Sequence, residues 1–352
     1  MLVSSESTPY RVEVTPIVRS DYEELKKIWV SSKPGLAHSN SPACLVDELV
    51  DRKINLFKVF DEGTLVAYFP FETTSFFGIN IITPAYGELT LDFIDICCDE
   101  EIEEDIVKVL IDWIKSLKNS VVYLFMLDEN STLVKRAVED SLLKVEARGK
   151  YFRLNLPTTK EELVSAFSKS SKKSFSRQLK KFEGQMKFEV VRGDVLGDEL
   201  ENAIDDLVRL HKIVFPNDSA MLPHLEALKP WIRKAFADEA AFLVRAREIS
   251  SGEIVATELM METKKTIGLM QGGRKLDEQY VGVGSWLLNQ TVLWAIESQK
   301  SSFEFLFGDQ EYKRRLANMS REAVSITYFS SNKAKYLFKI KHRLGKSLKF
   351  LR

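Results

Sequence analysis

Two glycines at the start of a predicted helix form the part of the sequence best suited to hold a phosphate. Residues 267–288 are predicted to run from a strand through a loop into a helix that begins in Gln279-x-x-Gly282-x-Gly284. Because glycine has no side chain, an anion can approach backbone N–H groups there, and the helix dipole favours negative charge. We therefore expect a pyrophosphate to bind at Gln279, Val281, Gly282, Val283, Gly284 and Ser285.

Two commoner phosphate-binding motifs are missing from the sequence. A GxGxxG after an early strand, followed by a suitably spaced acidic residue, would predict a Rossmann fold, and GxxxxGK[ST] would predict a P-loop. The sequence contains neither arrangement. The pyrophosphate site is therefore expected to belong to another fold.

Tyr312 and Glu258 are candidates for moving protons in a transfer reaction. Tyr312 follows a strand predicted at 303–307, and a phenol is a reasonable acid for a departing thiolate. Glu258 shares one strand face with apolar side chains, and the resulting desolvation would raise its pKa towards that of a general base. The structural alternatives are a core tyrosine that anchors its helix and a glutamate held in a salt bridge.

His211 and Asp309 are two further candidates for the base. His211 lies on the apolar stripe of a helix predicted at 199–215, where a histidine is more often a core residue. Asp309 follows the strand at 303–307, where an aspartate also often caps the next helix. The sequence alone leaves the choice of base open among Glu258, His211 and Asp309.

The composition is that of a globular protein without a strong overall charge. The 352 residues contain 50 Lys and Arg against 51 Asp and Glu, so no general basic field for nucleic acid is present. The cysteines Cys44, Cys97 and Cys98 form no CxxC pair, and the four histidines form no HxxxH pair. We therefore expect neither disulfides nor a metal site. No apolar stretch is long enough to span a bilayer, and the expected location is the cytoplasm.

The order of predicted elements indicates an α+β protein in two halves. Each half combines helices with a run of strands that reads as a meander rather than as alternating βαβ units. The predicted domains are 10–155 and 156–330, and a basic amphipathic C-terminal helix is predicted at 331–352. No Gly/Ser-rich linker separates the halves.

The glycine motif and a later segment resemble a known family. Gln279-x-x-Gly282-x-Gly284 is similar to motif A of the GCN-five-related N-acetyltransferases (GNAT), in which this turn holds the pyrophosphate of acyl-coenzyme A. Residues 303–315 resemble the DFxxGxxxYKxR signature of the CelD-type branch, which is associated with cellulose and exopolysaccharide synthesis and related to Fem-type peptidyltransferases. The first position of that signature is Glu304 here.

The resemblance covers roughly residues 10–330 and implies two tandem GNAT-like domains, each a mixed, mostly antiparallel sheet flanked by helices. The first half contains no motif that matches Gln279-x-x-Gly282-x-Gly284. We therefore expect acyl-coenzyme A to bind only in the second domain, and the first domain to be a degenerate copy. Tyr312 matches the place where GNAT enzymes often have a tyrosine acid.

The expected activity is transfer of an acyl group, most simply acetyl, from coenzyme A to an amine of an amino sugar, amino acid or peptide. The resemblance also leaves open a Fem-type transferase that takes an aminoacyl group from tRNA, and a GNAT-like scaffold without catalysis. Nucleic acid is a partner only in the first of these alternatives.

Two basic segments bear on the choice among these functions. The helix predicted at 170–181 could meet the 3′-phosphate of coenzyme A, an anionic glycan or a tRNA acceptor stem, or could simply be solvated; its cations are Lys172, Lys173, Arg177, Lys180 and Lys181. The C-terminal helix could lie on an anionic membrane surface or cap the domain that precedes it.

Overall fold

The computed structural model of the chain describes residues 2–3, 9–32, 54–85, 95–193, 197–216 and 225–349. Within them the chain forms two compact units. The first unit runs to Gly149 and resumes at Arg321, whereas the second is formed mainly by Lys150–Ser320. The sequence also predicts a strand at residues 89–96, which falls largely outside the described residues.

Both units contain strands and helices. The strands are β1 (Leu2–Val3), β2 (Arg11–Pro16), β3 (Ile54–Asp61), β4 (Thr64–Phe76), β5 (Ile79–Pro84), β6 (Cys97–Cys98), β7 (Ser120–Asp128), β8 (Leu143–Asn155), β9 (Met186–Val191), β10 (Ala241–Glu248), β11 (Ile254–Glu262), β12 (Thr266–Arg274), β13 (Ser302–Phe307) and β14 (Met319–Phe329). The helices are α1 (Tyr22–Ser31), α2 (Glu103–Ser116), α3 (Thr132–Glu139), α4 (Lys160–Ala166), α5 (Lys169–Lys181), α6 (Asp198–Val214), α7 (Leu225–Ala237), α8 (Val283–Glu297), α9 (Glu311–Leu316) and α10 (Asn332–Lys349). None of these helices is both long and apolar enough to cross a lipid bilayer, judged on the described residues.

The sheet of the first unit has the strand order β1-β2-β3-β4-β5-β7-β14-β8, with β6 paired to β4. Strands β2 to β5 are antiparallel neighbours, β5 and β7 are parallel, and β7 and β14 are antiparallel. Helices α2 and α3 bury apolar side chains such as Leu110 and Leu133 against one face of this sheet. The unit therefore has a core of its own.

The final strand and the C-terminal helix belong to the first unit. The element order along the sequence placed this strand in the second half, within 156–330. In the structure Thr327 of β14 pairs with Tyr123 of β7, and Ala334 of α10 packs beside Val121. Pairing with a strand about two hundred residues away leaves no signal in local periodicity, which explains the difference from the predicted domain boundaries.

The sheet of the second unit has the order β8-β13-β12-β11-β10-β9. Its pairs are antiparallel except for β12 and β13, which are parallel. The predicted α+β class, with mixed and mostly antiparallel sheets flanked by helices, is confirmed. Helix α8 is apolar nearly all round because it is buried in the core of this unit.

Two adjacent glycines of β12 allow α8 and α6 to pack on opposite faces of the sheet. A Cβ at Gly272 would lie 3.2 Å from Glu258 Cγ, on the side of α8, since Thr291 of that helix interacts with Glu258. A Cβ at Gly273 would lie 2.2 Å from the backbone nitrogen of His211 in α6. Because successive side chains of a strand point to opposite faces, the two helices cover the two faces.

We expect Gly273→Ala to lower the free energy of unfolding by about 3 kcal/mol, because the new methyl group would overlap helix backbone that cannot move aside. Gly184→Ala is the comparison, since its Cβ would meet nothing within 4 Å and only its positive φ of 71° is unfavourable. Urea denaturation of both variants measures the difference. A smaller loss for Gly273→Ala than for Gly184→Ala would contradict the close approach of α6.

Candidate active site

Strands β12 and β13 separate after a short stretch of parallel pairing. They pair only at Thr266–Gly268 against 302–304, although all their residues are described. Beyond this point each strand contains an extra residue relative to its other neighbour, Met270 in β12 and Phe305 in β13. Such bulges bend a strand and end its pairing, so the two strands diverge towards their carboxyl ends.

Helix α8 begins beside the end of β12 in the glycine motif selected from the sequence. Gly282 precedes the helix with φ +95°, and its carbonyl accepts the hydrogen bond of Trp286 N at 2.9 Å. A Cβ there would make only an ordinary contact with Phe182 at 3.9 Å, so the left-handed backbone is what favours glycine. No side chain caps this terminus. Its first N–H groups therefore remain available to an anion.

Two cations lie next to this helix terminus. A Cβ at Gly284 would come within 3.0 Å of Arg274 Cδ, so the arginine side chain crosses the first turn of the helix. Lys181, at the end of α5, donates from Nζ to the carbonyl oxygen of Val281. The sequence analysis did not select Arg274 for the phosphate site, whereas it named Lys181 only as one of the cations that could meet the 3′-phosphate of coenzyme A. Their charges add to that of the helix dipole.

The six expected cofactor-binding residues do not share one environment. Val283 is fully buried and Gly284 and Ser285 are half-buried, whereas Gln279 and Val281 are exposed. Gln279 lies in the 3-10 turn Glu278–Tyr280 that leads into the helix. The backbone groups beside Arg274 are those at the helix start, near Gly284. A role for the Gln279 side chain stays a prediction.

Glu258 is buried in the sheet opposite Gly272. It is 8% exposed, and its Oε2 has no hydrogen-bond partner. Burial raises the pKa of the Glu258 carboxyl to about 8, while the Thr291 hydroxyl and the charge of Arg274 lower it by smaller amounts. A carboxyl with this pKa can gain or lose a proton near neutral pH, as a general acid or base must.

Tyr312 lies close to Glu258. It is half-buried on the short helix α9, and its ring meets that of Phe305 edge to face with centroids 6.3 Å apart. Burial raises the pKa of the Tyr312 phenol above its ordinary value of 10, and the negative charge of Glu258 adds to the effect. The phenol is thus protonated at neutral pH and can act as a donor.

Tyr312 and Ser285 line the same small pocket, so one expected catalytic residue and one expected cofactor-binding residue lie together. Polar side chains from α5 and α8 complete its wall: Ser171, Ser174, Gln178 and Asn289. The Asn289 amide donates to Gln178 Oε1 at 2.9 Å, which links the two helices. Ser285 lies one turn above Asn289, so the pocket extends along α8.

Lys313 holds the end of β13, a contact that the sequence did not predict. This lysine is only 4% exposed, and its Nζ donates to the carbonyl oxygens of Leu306 at 3.4 Å and Phe307 at 2.5 Å. Leu306 has a φ of +58°, which is unfavourable for a branched side chain. The ammonium group therefore stabilises the turn that precedes Tyr312.

His211 and Asp309 are not grouped with Glu258. His211 Nδ1 donates to the Gly272 carbonyl at 2.9 Å from the opposite face of the sheet, and burial lowers its pKa. Asp309 is exposed and pairs with Arg314 at 3.0 Å. The alternative of a core histidine agrees with the contact of His211, whereas Asp309 does not cap α9, whose N-cap residue is Gln310.

Glu304, at the first position of the DFxxGxxxYKxR signature, forms an ion pair within the core of the second unit. Glu304 is fully buried and forms an ion pair with Arg153 of β8. Within the described ranges, no group of three or more His, Cys, Asp or Glu side chains could hold a metal ion. The second unit thus contains two groups with raised pKa values, Glu258 and Tyr312, and a helix terminus that no side chain caps.

Comparisons with known proteins identify the fold. A model of the acetyltransferase (GNAT) domain matches residues 169–314. The structure of FemX superposes with a TM-score of 0.64 at 10% sequence identity, over 93% of this chain and 99% of that one. The C-terminal domain of a putative lysylphosphatidylglycerol synthetase from Agrobacterium fabrum gives a TM-score of 0.60 at 12% identity, over 92% of this chain and 95% of that one.

A search of curated proteins finds no match to the sequence. The likeness to the solved structures extends over nearly the whole chain, and at these identities it shows the fold alone. The matched residues 169–314 contain the diverging strands, the start of α8, Glu258 and Tyr312. The chain thus shares the fold of these structures, and residues 169–314 of its second unit are similar to a GNAT-type acetyltransferase domain.

Proposed function

We propose that the protein is an acyl-coenzyme A-dependent N-acyltransferase, most simply an N-acetyltransferase. The observation that carries the proposal is that Arg274 lies beside the uncapped start of α8 and also acts on the pKa of the buried Glu258 carboxyl. The amides of α8 and the Arg274 guanidinium favour an anion at one end of the site, while Glu258 and Tyr312 can exchange protons beside it. Acyl transfer from coenzyme A uses both features: the anion site holds the pyrophosphate of the carrier, and the two side chains move protons at the thioester.

The pyrophosphate of acyl-coenzyme A binds the backbone N–H groups of Gly282–Ser285 in this proposal. Arg274 and Lys181 lie where they can neutralise its charge. The thioester then extends between the ends of β12 and β13, where backbone N–H groups released from pairing can stabilise the negative charge that develops on the carbonyl oxygen.

The reaction begins when ionised Glu258 takes a proton from the acceptor ammonium group. The neutral amine attacks the thioester carbonyl carbon, a C–N bond forms, and the C–S bond breaks. Tyr312 donates its proton to the departing thiolate, and its phenolate takes the second proton from the acylated nitrogen. Glu258 then releases its proton to solvent. The raised pKa of Glu258 makes it a strong base once ionised, and the raised pKa of Tyr312 keeps its proton in place until charge develops on sulfur.

The acceptor is an amine of an amino sugar, an amino acid or a peptide in this proposal. The resemblance of residues 303–315 to the CelD-type signature supports a cytoplasmic step in making an exopolysaccharide, with Tyr312, Lys313 and Arg315 at the matching positions. The contact of Lys313 with the end of β13 gives one of these positions a physical role.

A direct test is to measure release of the coenzyme A thiol from acetyl-coenzyme A with a panel of amino sugars, amino acids and peptides. Thiol release that depends on an amine, with the acetylated product identified by mass spectrometry, supports the proposal. Tight acetyl-coenzyme A binding with no turnover on any amine would favour a scaffold instead.

The second candidate is a Fem-type transferase that uses aminoacyl-tRNA. The basic helix α5 favours it, because all six of its cations, Lys169 included, are exposed. Filter binding of aminoacyl-tRNA across a series of salt concentrations tests this function. Strongly salt-dependent binding, together with no affinity for acyl-coenzyme A, would replace the main proposal.

We expect Gly282→Asp to weaken acetyl-coenzyme A binding roughly a hundredfold relative to Gly282→Asn, because it places a negative charge beside the pyrophosphate. Asparagine is the matched control, since it has the same size and tolerates the same left-handed backbone. Isothermal titration calorimetry on both folded variants measures the affinities. Equal affinities would contradict the pyrophosphate site.

We expect Glu258→Gln to remove a pH dependence of stability. The native carboxyl has a pKa of about 8 against an ordinary value of 4.5. Its contribution to stability is therefore present below pH 4.5 and lost as the pH rises towards about 8, by at most about 1.4 kcal/mol per pH unit. Urea denaturation from pH 5 to 9 should show the wild type losing stability relative to Glu258→Gln.

The same substitution separates a base from a merely buried carboxyl. If Glu258 is the base, kcat/KM of the wild type rises through about pH 8, and Glu258→Gln lowers it by ~10²–10⁴-fold and removes this limb. A Gln variant that keeps both its rate and its pH limb would exclude Glu258 as the base.

We expect Tyr312→Phe to lower kcat by ~10²–10⁴-fold, because the phenol protonates the leaving thiolate. Coenzyme A affinity should barely change, since the proton matters mainly as charge develops on sulfur. Steady-state kinetics and calorimetry measure the two quantities, and the retained ring preserves the contact with Phe305. An undiminished kcat would assign Tyr312 to the core.

A further inference from the structure

A cavity lies on the face of the first unit's sheet opposite its main core. Val122 and Leu124 of β7 pack in that core, so the intervening Tyr123 points to the other face. Helix α10 covers part of this face, and a cavity of about 490 Å³ opens beside it. This volume lies within the range of roughly 300–1,000 Å³ that is typical of small-molecule sites.

Aromatic side chains form the floor of the cavity. Phe338 of α10 contacts both Tyr123 and Phe329, with ring centroids 5.7 and 5.9 Å apart. All three rings are half-buried and line the cavity. A half-buried aromatic surface is suited to stack a flat ring, as aromatic side chains do with nucleic-acid bases.

Basic side chains surround this floor. Five of them line the cavity: Lys144, Arg148, Lys335, Lys339 and Arg343. The one carboxylate in the lining, Glu146, pairs with Lys144 at 2.7 Å and Arg148 at 3.4 Å. Five basic groups against one acidic group leave an excess of four positive charges. In the described part of the chain, neither Lys335 nor Lys339 takes part in an ion pair.

Arg148 joins the two features of the cavity. Its guanidinium lies 5.6 Å from the Tyr123 ring centroid, and its Nε donates to Ser325 Oγ at 2.7 Å. Ser325 is fully buried, so this contact fixes the arginine over one edge of the aromatic floor. A guanidinium held in this way is prepared to bind phosphate oxygens with its remaining N–H groups.

We infer that this cavity binds a nucleoside diphosphate. Its base would stack on the aromatic floor and its phosphates would meet the basic residues of α10 and β8. A concave site of this size suits a small molecule better than a flat lipid surface, and the combination of rings and multiple cations requires a ligand with both a planar part and several negative charges. This inference does not depend on the activity proposed for the second unit.

Isothermal titration calorimetry with UDP tests the inference. The Gly282→Asp protein is the background for every variant, so that nucleotide binding at the start of α8 does not contribute. We expect Lys339→Glu to weaken UDP binding by about tenfold or more, whereas Lys333→Glu changes it less than about twofold. Lys333 is the matched control, because it is exposed on the same helix but does not line the cavity.

Tyr123→Leu tests the aromatic floor, because it removes the ring but keeps an apolar side chain. We expect it to weaken UDP binding and to leave pyrophosphate binding unchanged. Absence of UDP binding, or equal UDP affinity in Lys339→Glu and Lys333→Glu, would overturn the inference. So would pyrophosphate that binds as tightly as UDP, or Lys339-dependent binding to phosphatidylglycerol vesicles without binding to UDP.

Discussion

The divergence of two parallel strands is the constraint from which the candidate active site follows. Strands β12 and β13 share three paired residues and then separate, because each contains a bulge. In a regular sheet, the facing backbone N–H groups of these two strands would donate hydrogen bonds to the neighbouring strand. Their separation leaves a gap in the second unit with the start of α8 beside it, and Lys313 stabilises the turn on the far side of that gap.

Packing and electrostatics at this gap depend on small residues. Gly272 leaves room for the Glu258 side chain, and Gly273 allows the α6 backbone to approach the sheet. The carboxyl is consequently buried between a covered sheet and α8, and its ionised form is disfavoured. The Thr291 hydroxyl and the charge of Arg274 partly offset that cost. Helix α6 packs closely on one face of the sheet and α8 covers the other. Solvent is therefore excluded from Glu258, and this burial raises the pKa of its carboxyl.

Local patterns predicted much of the fold and part of the site. Apolar periodicity located the helices of the second unit, and the glycine spacing located the start of α8, because both are properties of a few consecutive residues. The partner of β14 depends on a contact between distant segments, and periodicity carries no information about it. For the same reason the sequence did not predict a role for Arg274. Its position beside Gly284 arises because the chain folds back after β12.

A crystal structure with bound acetyl-coenzyme A is the most direct test that the diverging strands form an acyl-transfer site. We expect the pyrophosphate to accept hydrogen bonds from the backbone N–H groups of Gly282–Ser285, with the thioester between the ends of β12 and β13. The thioester sulfur should then lie about 3–3.5 Å from the Tyr312 hydroxyl, the separation of reacting groups in a productive complex. A cofactor bound elsewhere, or one whose thioester points away from Glu258 and Tyr312, would contradict the account.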